Sequence, residues 1–365
     1  MINNWLRLTN PSEVCGDLPF SDTQLGSKVY FFGQTGSFRE DTQFALISSN
    51  QQAASIKKRL YRMSAHPGLR PIVDLGTLVN IKPSTLTPVL RELDEAGIIP
   101  ILLGISQNDI THILLALSKV KNQRIRPVFV DDKIGIGQDF TRSYLNPILE
   151  QEEITVDSIS ILSFQQHYSN IEQVRIKFPF VHGLRLGTLR NDIKTAEPYV
   201  RDANALFFLF NALKHAEAPA QLASNPSGLY SEEACQLTKY AGINESMEFF
   251  ALGNFDLQYD EHGQTAELTA QMIWYFIFGH QNRANEALTS TNRNLTKYMV
   301  NPDDLNVGFI FYKSEKTGRW WVSRQEASKS PRVTNKIYAC SYEDYQMCTH
   351  NEISERLLEL FQNAL

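Results

Sequence analysis

The residues best able to do chemistry in this 365-residue chain stand directly after short apolar runs. Asp131, Asp132 and Lys133 follow the run Arg126 to Val130, Gln107 follows Ile98 to Leu103, Asn211 follows Ala205 to Phe210, and Asn254 follows Met247 to Leu252. Asp131 and Asp132 are the carboxylates among them, and Gln107, Asn211 and Asn254 are neutral amides that can only hydrogen-bond. Lys133 beside two carboxylates is read as an ion pair, because neighbouring negative charge holds its proton and keeps it from acting as a base. The histidines show no HxH or HExxH spacing and are read as surface or capping residues, and Asp74 in IVDLG is read as a loop cap at a strand end. There is no GxGxxG, GxxxxGK[ST] or GxSxG pattern, which leaves phosphate cradles and a serine nucleophile without support. Cys15, Cys235, Cys340 and Cys348 form no CxxC or zinc spacing and are read as the reduced thiols of a cytoplasmic protein.

Those side chains need a frame, and the chain has the rhythm of one. From residue 70 onward, strand-like runs at Pro71 to Leu75, Ile98 to Leu103, Arg126 to Val130, Ser158 to Ser163, Phe180 to Leu186, Ala205 to Phe210 and Met247 to Leu252 alternate with helical patterns. The helices are expected over Thr85 to Ala96, Ile110 to Ser118, Ile171 to Lys177, Ser231 to Tyr240 and Thr265 to His280. Strand and helix in alternation specify an α/β fold, a three-layer α/β/α sandwich around a parallel sheet, with function outside the carboxyl ends of the strands. After Asn301 the pattern changes to two short strands, Val307 to Tyr312 and Trp320 to Ser323, and a helix over Glu352 to Gln362. Residues 1–300 are therefore read as the α/β domain and 301–365 as an appended β-hairpin and helix.

The order of these strand ends resembles the ureohydrolases, the family of arginase, agmatinase and formimidoylglutamase. Leu103-Gly104-Ile105-Ser106-Gln107-Asn108 takes the place of the family's Gly-Gly-Asp-His-Ser turn, and Val130-Asp131-Asp132-Lys133-Ile134-Gly135 that of Asp-Ala-His-x-Asp. Gly183-Leu184-Arg185 is similar to Gly-Ile-Arg, and Phe208-Leu209-Phe210-Asn211 lies where Ser-Phe-Asp-x-Asp stands. Asn225-Pro226-Ser227-Gly228-Leu229-Tyr230-Ser231-Glu232-Glu233 resembles the Pro-Gly-Gly-Leu-Thr-Tyr-x-Glu helix start. The resemblance spans roughly residues 30 to 285, and it implies an arginase-like fold.

It also implies a damaged site. The family holds two Mn²⁺ ions, and at its ligand positions this chain carries Gln107, Asp131, Lys133, Gly135, Leu209 and Asn211, while the substrate-binding glutamate corresponds to Asn254. One carboxylate and one ammonium at those positions cancel, where the family sets four carboxylates against two divalent cations. The expectation is a pseudoenzyme with no metal and no catalytic residue, its degenerate cleft left for a protein or small-molecule ligand. The alternative is a diverged formimidoylglutamase-like or arginase-like hydrolase of linear amidines, binding Mn²⁺ through Asp131 with Asp132, His112 or Asp139. The family's habit of assembly implies a homo-oligomer.

Composition narrows the partners. A formal charge of −5 supplies no broad field for nucleic acid, and no apolar run is long enough to enter a membrane as a helix. One segment stands apart: Lys313 to Lys336 holds Lys313, Lys316, Arg319, Arg324, Lys329, Arg332 and Lys336 against Glu315 and Glu326. With Trp320 and Trp321 inside it, this segment suits an acidic protein partner, since Trp and Arg dominate interface energetics. Equally, the tryptophans pack on the main domain and the basic residues are solvated.

Overall fold

A computed structural model describes residues 2–16, 19–121, 124–136, 144–286, 295–303, 307–325 and 336–361. Its centre is a ten-stranded sheet. The strands are β1 (Leu6–Arg7), β2 (Val29–Phe31), β3 (Phe44–Ser48), β4 (Ile72–Leu78), β5 (Ile99–Ile105), β6 (Pro127–Val130), β7 (Ile159–Phe164), β8 (Val181–Arg185), β9 (Ala205–Leu209) and β10 (Phe249–Gly253). They lie in the order β1-β4-β3-β5-β10-β9-β6-β7-β8, with β2 also on β4. Every pairing is parallel except β1 with β4.

Parallel strands covered on both faces are near-continuously apolar, as the fully buried β3, β7, β9 and β10 are here. Pro83–Glu95 and Asp109–Val120 cover one face; Ala54–Leu60, Ser231–Ile243 and Gln264–Gln281 cover the other. The last two of these helices approach closely because Gly242 and Gly279 face each other's backbones. A Cβ on Gly242 would lie 2.1 Å from the Phe276 carbonyl oxygen.

The seven strands expected from the sequence are all present. The sheet also takes in β1, β2 and β3, which precede residue 70, and β3 lies inside it between β4 and β5.

At the C-terminus the expected hairpin is the inner pair of a four-stranded antiparallel sheet. It contains β11 (Leu295–Val300), β12 (Gly308–Ser314), β13 (Trp320–Gln325) and β14 (Tyr338–Cys340). Two helices follow, Tyr342–Thr349 and Glu355–Phe361. One face of the small sheet, with Phe309, Phe311, Trp320 and Val322, forms its own core with Cys348, Leu357 and Phe361.

Candidate functional site

Strand order decides what can meet. Strands β5, β10, β9 and β6 are neighbours, so Gln107, Asn254, Leu209 with Asn211, and Asp131 with Lys133 and Gly135 all lie along one stretch of the sheet's carboxyl edge. The turn that carries Gln107 is fixed by Asp109, which accepts from the Ser106 amide and hydroxyl at 2.7 Å each and opens the helix Asp109–Val120.

At the centre of this edge Asp131 is fully buried. Its Oδ2 accepts from the Tyr144 hydroxyl at 2.8 Å and, at the long end of hydrogen bonding, from Gln107 Nε2 at 3.4 Å; its Oδ1 accepts from the Asp132 amide at 2.8 Å. Beside it, Asn254 Nδ2 donates to Asn211 Oδ1 at 2.7 Å. Asn225 Nδ2 lies 3.1 Å from Asp132 Oδ2 and 3.3 Å from the Asn211 carbonyl, and so ties the two groups together. The other oxygen of Asp132, Oδ1, is buried without a hydrogen-bond partner.

Lys133 turns outward. Its Nζ is 3.7 Å from Asp132 Oδ2 and 4.9 Å from the centroid of the Tyr168 ring, so its carboxylate partner is Asp132 and not Asp131. Leu209 adds nothing polar, because its side chain is buried in the apolar layer shared with Phe207 and Phe249. Gly135 has φ +66°, and a Cβ there would sit 2.6 Å from the Tyr144 ring. The space around Gly135 belongs to Tyr144.

Burial raises the pKa of Asp131 well above the carboxylate range, and the nearby Asp132 adds to the effect; burial raises Asp132 as well. Burial first, then the charge of Asp131, pushes the Tyr144 phenol upward, so it keeps its proton and remains a donor.

These residues do not fit a pair of divalent cations. Among the positions that the resemblance assigns to metal ligands only Asp131 is a carboxyl group, and both of its oxygens already face N–H or O–H donors. No group of three His, Cys, Asp or Glu side chains is placed to share an ion among the described residues. His112 is exposed on the helix Asp109–Val120, and Asp139 lies outside the described residues.

Three features escaped the sequence reading. Tyr144 and Asn225 complete the polar network, and neither type signals a site alone. Asp74 is no loop cap: it is buried within β4 and accepts from Lys57 Nζ and the Tyr61 hydroxyl at 2.6 Å each, from the Gly76 amide at 2.8 Å and from Thr9 at 3.1 Å. His182 is not a surface residue either. Burial, helped by the cations of Arg356, Arg175 and Lys336, lowers its pKa to about 3.

The basic and aromatic residues near the C-terminus are split by the strand's alternation. Trp320 and Trp321 are buried, Trp320 against Tyr298 and Tyr345, Trp321 under the Arg201 guanidinium at 4.6 Å. Arg201 fastens this sheet to the main domain by donating to the Trp320 and Cys340 carbonyls at 3.0 Å each. Lys313 lies over the Trp320 ring at 5.6 Å, Arg319 reaches Glu197 at 3.7 Å, Lys316 donates to the Ala284 carbonyl, and Arg324 is exposed. Lys329, Arg332 and Glu326 lie outside the described residues.

With the fold and its strand-end polar network defined, comparison with solved structures identifies the architecture. Formimidoylglutamase from Bacillus subtilis superposes with a TM-score of 0.60 at 16% identity, covering 74% of this chain and 96% of that one. Trypanosoma cruzi formiminoglutamase with Mn²⁺ gives 0.61 at 14% identity, covering 72% and 100%. The agmatine ureohydrolase of Thermoplasma volcanium gives 0.53 at 16%, covering 72% and 95%. The chain has the fold of the arginase superfamily. No protein-family model matches the sequence, and no curated protein matches it significantly.

Proposed function

We propose that this chain is a ureohydrolase-type protein that no longer runs the two-metal reaction and serves as a scaffold for a protein partner or small ligand. One observation carries the reading: at Asp131, the one ligand position of the resemblance that keeps a carboxylate, the chain places Tyr144, Gln107 and a backbone amide as donors onto the oxygens, with an Asn211–Asn254 amide pair beside it. Amides and a phenol satisfy one another and attract no divalent charge. The superposed formiminoglutamase is described with Mn²⁺, so loss of that ion would separate this chain from its structural relatives. A reducing location accords with four free cysteines.

Elemental analysis of the purified protein, with and without added Mn²⁺, together with thermal unfolding and assays on guanidino and formimino compounds, tests the reading. The expected result is no stoichiometric metal, an unchanged melting temperature and no turnover. Two equivalents of manganese with a raised melting temperature would instead establish a hydrolase of linear amidines with a rearranged site.

A further inference from the structure

The opposite end of the sheet carries a second concave site. A cleft of about 590 Å³ lies between the amino ends of β6, β7 and β8 and the C-terminal sheet. Its floor follows from strand register. Ser160 stands beside Val128 on β6 and His182 on β8, and Arg126 and Ser158 precede Val128 and Ser160 by two residues. All four side chains therefore share one face. Further along the same strands that face is Val130, Leu162 and Leu184, packed in the apolar core.

Apolar residues would have served if the C-terminal sheet were merely to pack here. Instead Ser160 and His182 are each only 7% exposed, and His182 Nδ1 and Arg201 Nε are buried with no hydrogen-bond partner. Buried polar groups left unpaired cost free energy, which a ligand with matching groups recovers.

Most charges around the floor are paired, and among the described residues Arg126 is the cation left for an anion to meet. Asp157 is engaged by Lys336 at 2.6 Å and Asp202 by Arg356, while Arg201 is held by Glu197 at 3.0 Å. Arg126 gives its Nε to the Asp202 carbonyl at 2.7 Å and has no carboxylate in ion-pair contact among the described residues. Glu286, on the wall, is occupied by the Ser314 and Thr317 hydroxyls, and Glu245 accepts the Glu286 amide at 2.6 Å. Trp321 and Tyr338 supply aromatic surface on the C-terminal sheet's side.

We propose that this cleft binds a small metabolite bearing an oxyanion, its carboxylate or phosphate held by Arg126, Ser158 and Ser160 and its remainder lying against Trp321 and Tyr338. Such a ligand bridges the main domain and the C-terminal sheet, and its binding stabilises their docking.

The test titrates inorganic phosphate and malonate separately into the full-length protein at constant ionic strength, read by thermal unfolding and tryptophan emission. A saturable rise in melting temperature with either anion is expected, and the stronger of the two tells phosphate from carboxylate. Arg126→Gln and Ser160→Ala should each weaken that response about 10-fold, as loss of a charge-assisted or hydroxyl contact does. Should Arg126→Gln unfold through loss of its contact with Asp202, Ser160→Ala decides alone, since it removes only a hydroxyl. No saturable response to either anion, or an undiminished one in Ser160→Ala, overturns the proposal.

Discussion

The two ends of the central sheet differ in how their buried polar groups are paired. At the carboxyl end, Asp131, Tyr144, Asn211, Asn225 and Asn254 have found partners within the chain, while Asp132 Oδ1 and Ser163 Oγ are buried without one. At the amino end, Ser160, His182 and Arg126 share a face under the C-terminal sheet, and His182 Nδ1 makes no hydrogen bond, with Glu359 Oε2 3.9 Å away. The difference lies in what closes each end. The carboxyl end is closed by the chain's own strand-end loops, whose side chains reach into the cleft. The amino end is covered by a separate sheet that docks through its own ion pairs at the margins: Arg356 with Asp202, Arg175 with Glu359, and Lys336 with Asp157. The same fold thus has one end knitted around Asp131 by its own hydrogen bonds and one end roofed but not filled.

The strongest way to break that comparison is to undo the roof. Glu359, on the helix Glu355–Phe361, is buried, pairs with Arg175 and accepts from the Tyr199 hydroxyl at 3.0 Å. Glu359→Ala leaves the Arg175 guanidinium with only the longer Glu355 contact at 4.0 Å, and removing one member of a buried pair costs about 3 kcal/mol. Urea unfolding should show a lower midpoint and easier proteolysis of the C-terminal sheet. A loss under about 1 kcal/mol would mean that apolar contacts, not the ion pairs, hold the roof.

A smaller effect comes from His182, whose folded pKa of about 3 lies below the ordinary value of 6.5. The unfolded chain takes up a proton near pH 6.5 that the folded chain refuses. The stability is therefore full above that pH and is lost progressively as pH falls toward 3, by about 2 kcal/mol at pH 5. Burial raises Asp131, Asp132 and Asp202, so these groups act with the opposite sign and favour the fold as pH falls. The difference between wild type and His182→Gln isolates the histidine. Equal slopes between pH 7 and pH 5 in the two proteins would show that water reaches His182.

The strands that carry the closed end were legible because each is a short, nearly unbroken apolar run between turn residues. Ala205–Leu209 and Phe249–Gly253 are the clearest examples. Phe44–Ser48 was missed although its composition is the same: no helical pattern follows it at the expected length, only the short Ala54–Leu60. Leu295–Val300 and Tyr338–Cys340 were missed because an antiparallel edge strand can be half polar or three residues long and still be held by its neighbour. At the site, the placement of Gln107, Asp131, Asn211 and Asn254 along one edge follows from strand order. Their pairing does not, because Tyr144 and Asn225 arrive from loops whose paths depend on tertiary packing. Asp74 shows the same limit, since its partner Lys57 sits on a different element and only packing brings them together.

Tyr144→Phe makes the finest cut between the two ends. It keeps the ring, which packs 5.9 Å from Phe129, and removes only the hydroxyl that donates to Asp131. Asp131 is then left with the Asp132 amide and a long contact to Gln107, and the loss should be about 1 kcal/mol. The direction with pH separates this from a packing effect. The Tyr144 hydrogen bond works against the upward shift of Asp131, so it favours the charged carboxylate. Its removal must cost more on the alkaline side of the Asp131 titration than on the acid side, because the charged form depends on the donor and the protonated form does not. A penalty that stays flat while Asp131 titrates would place the stabilising role in the ring, and the carboxyl end would then be held by shape and not by this hydrogen bond.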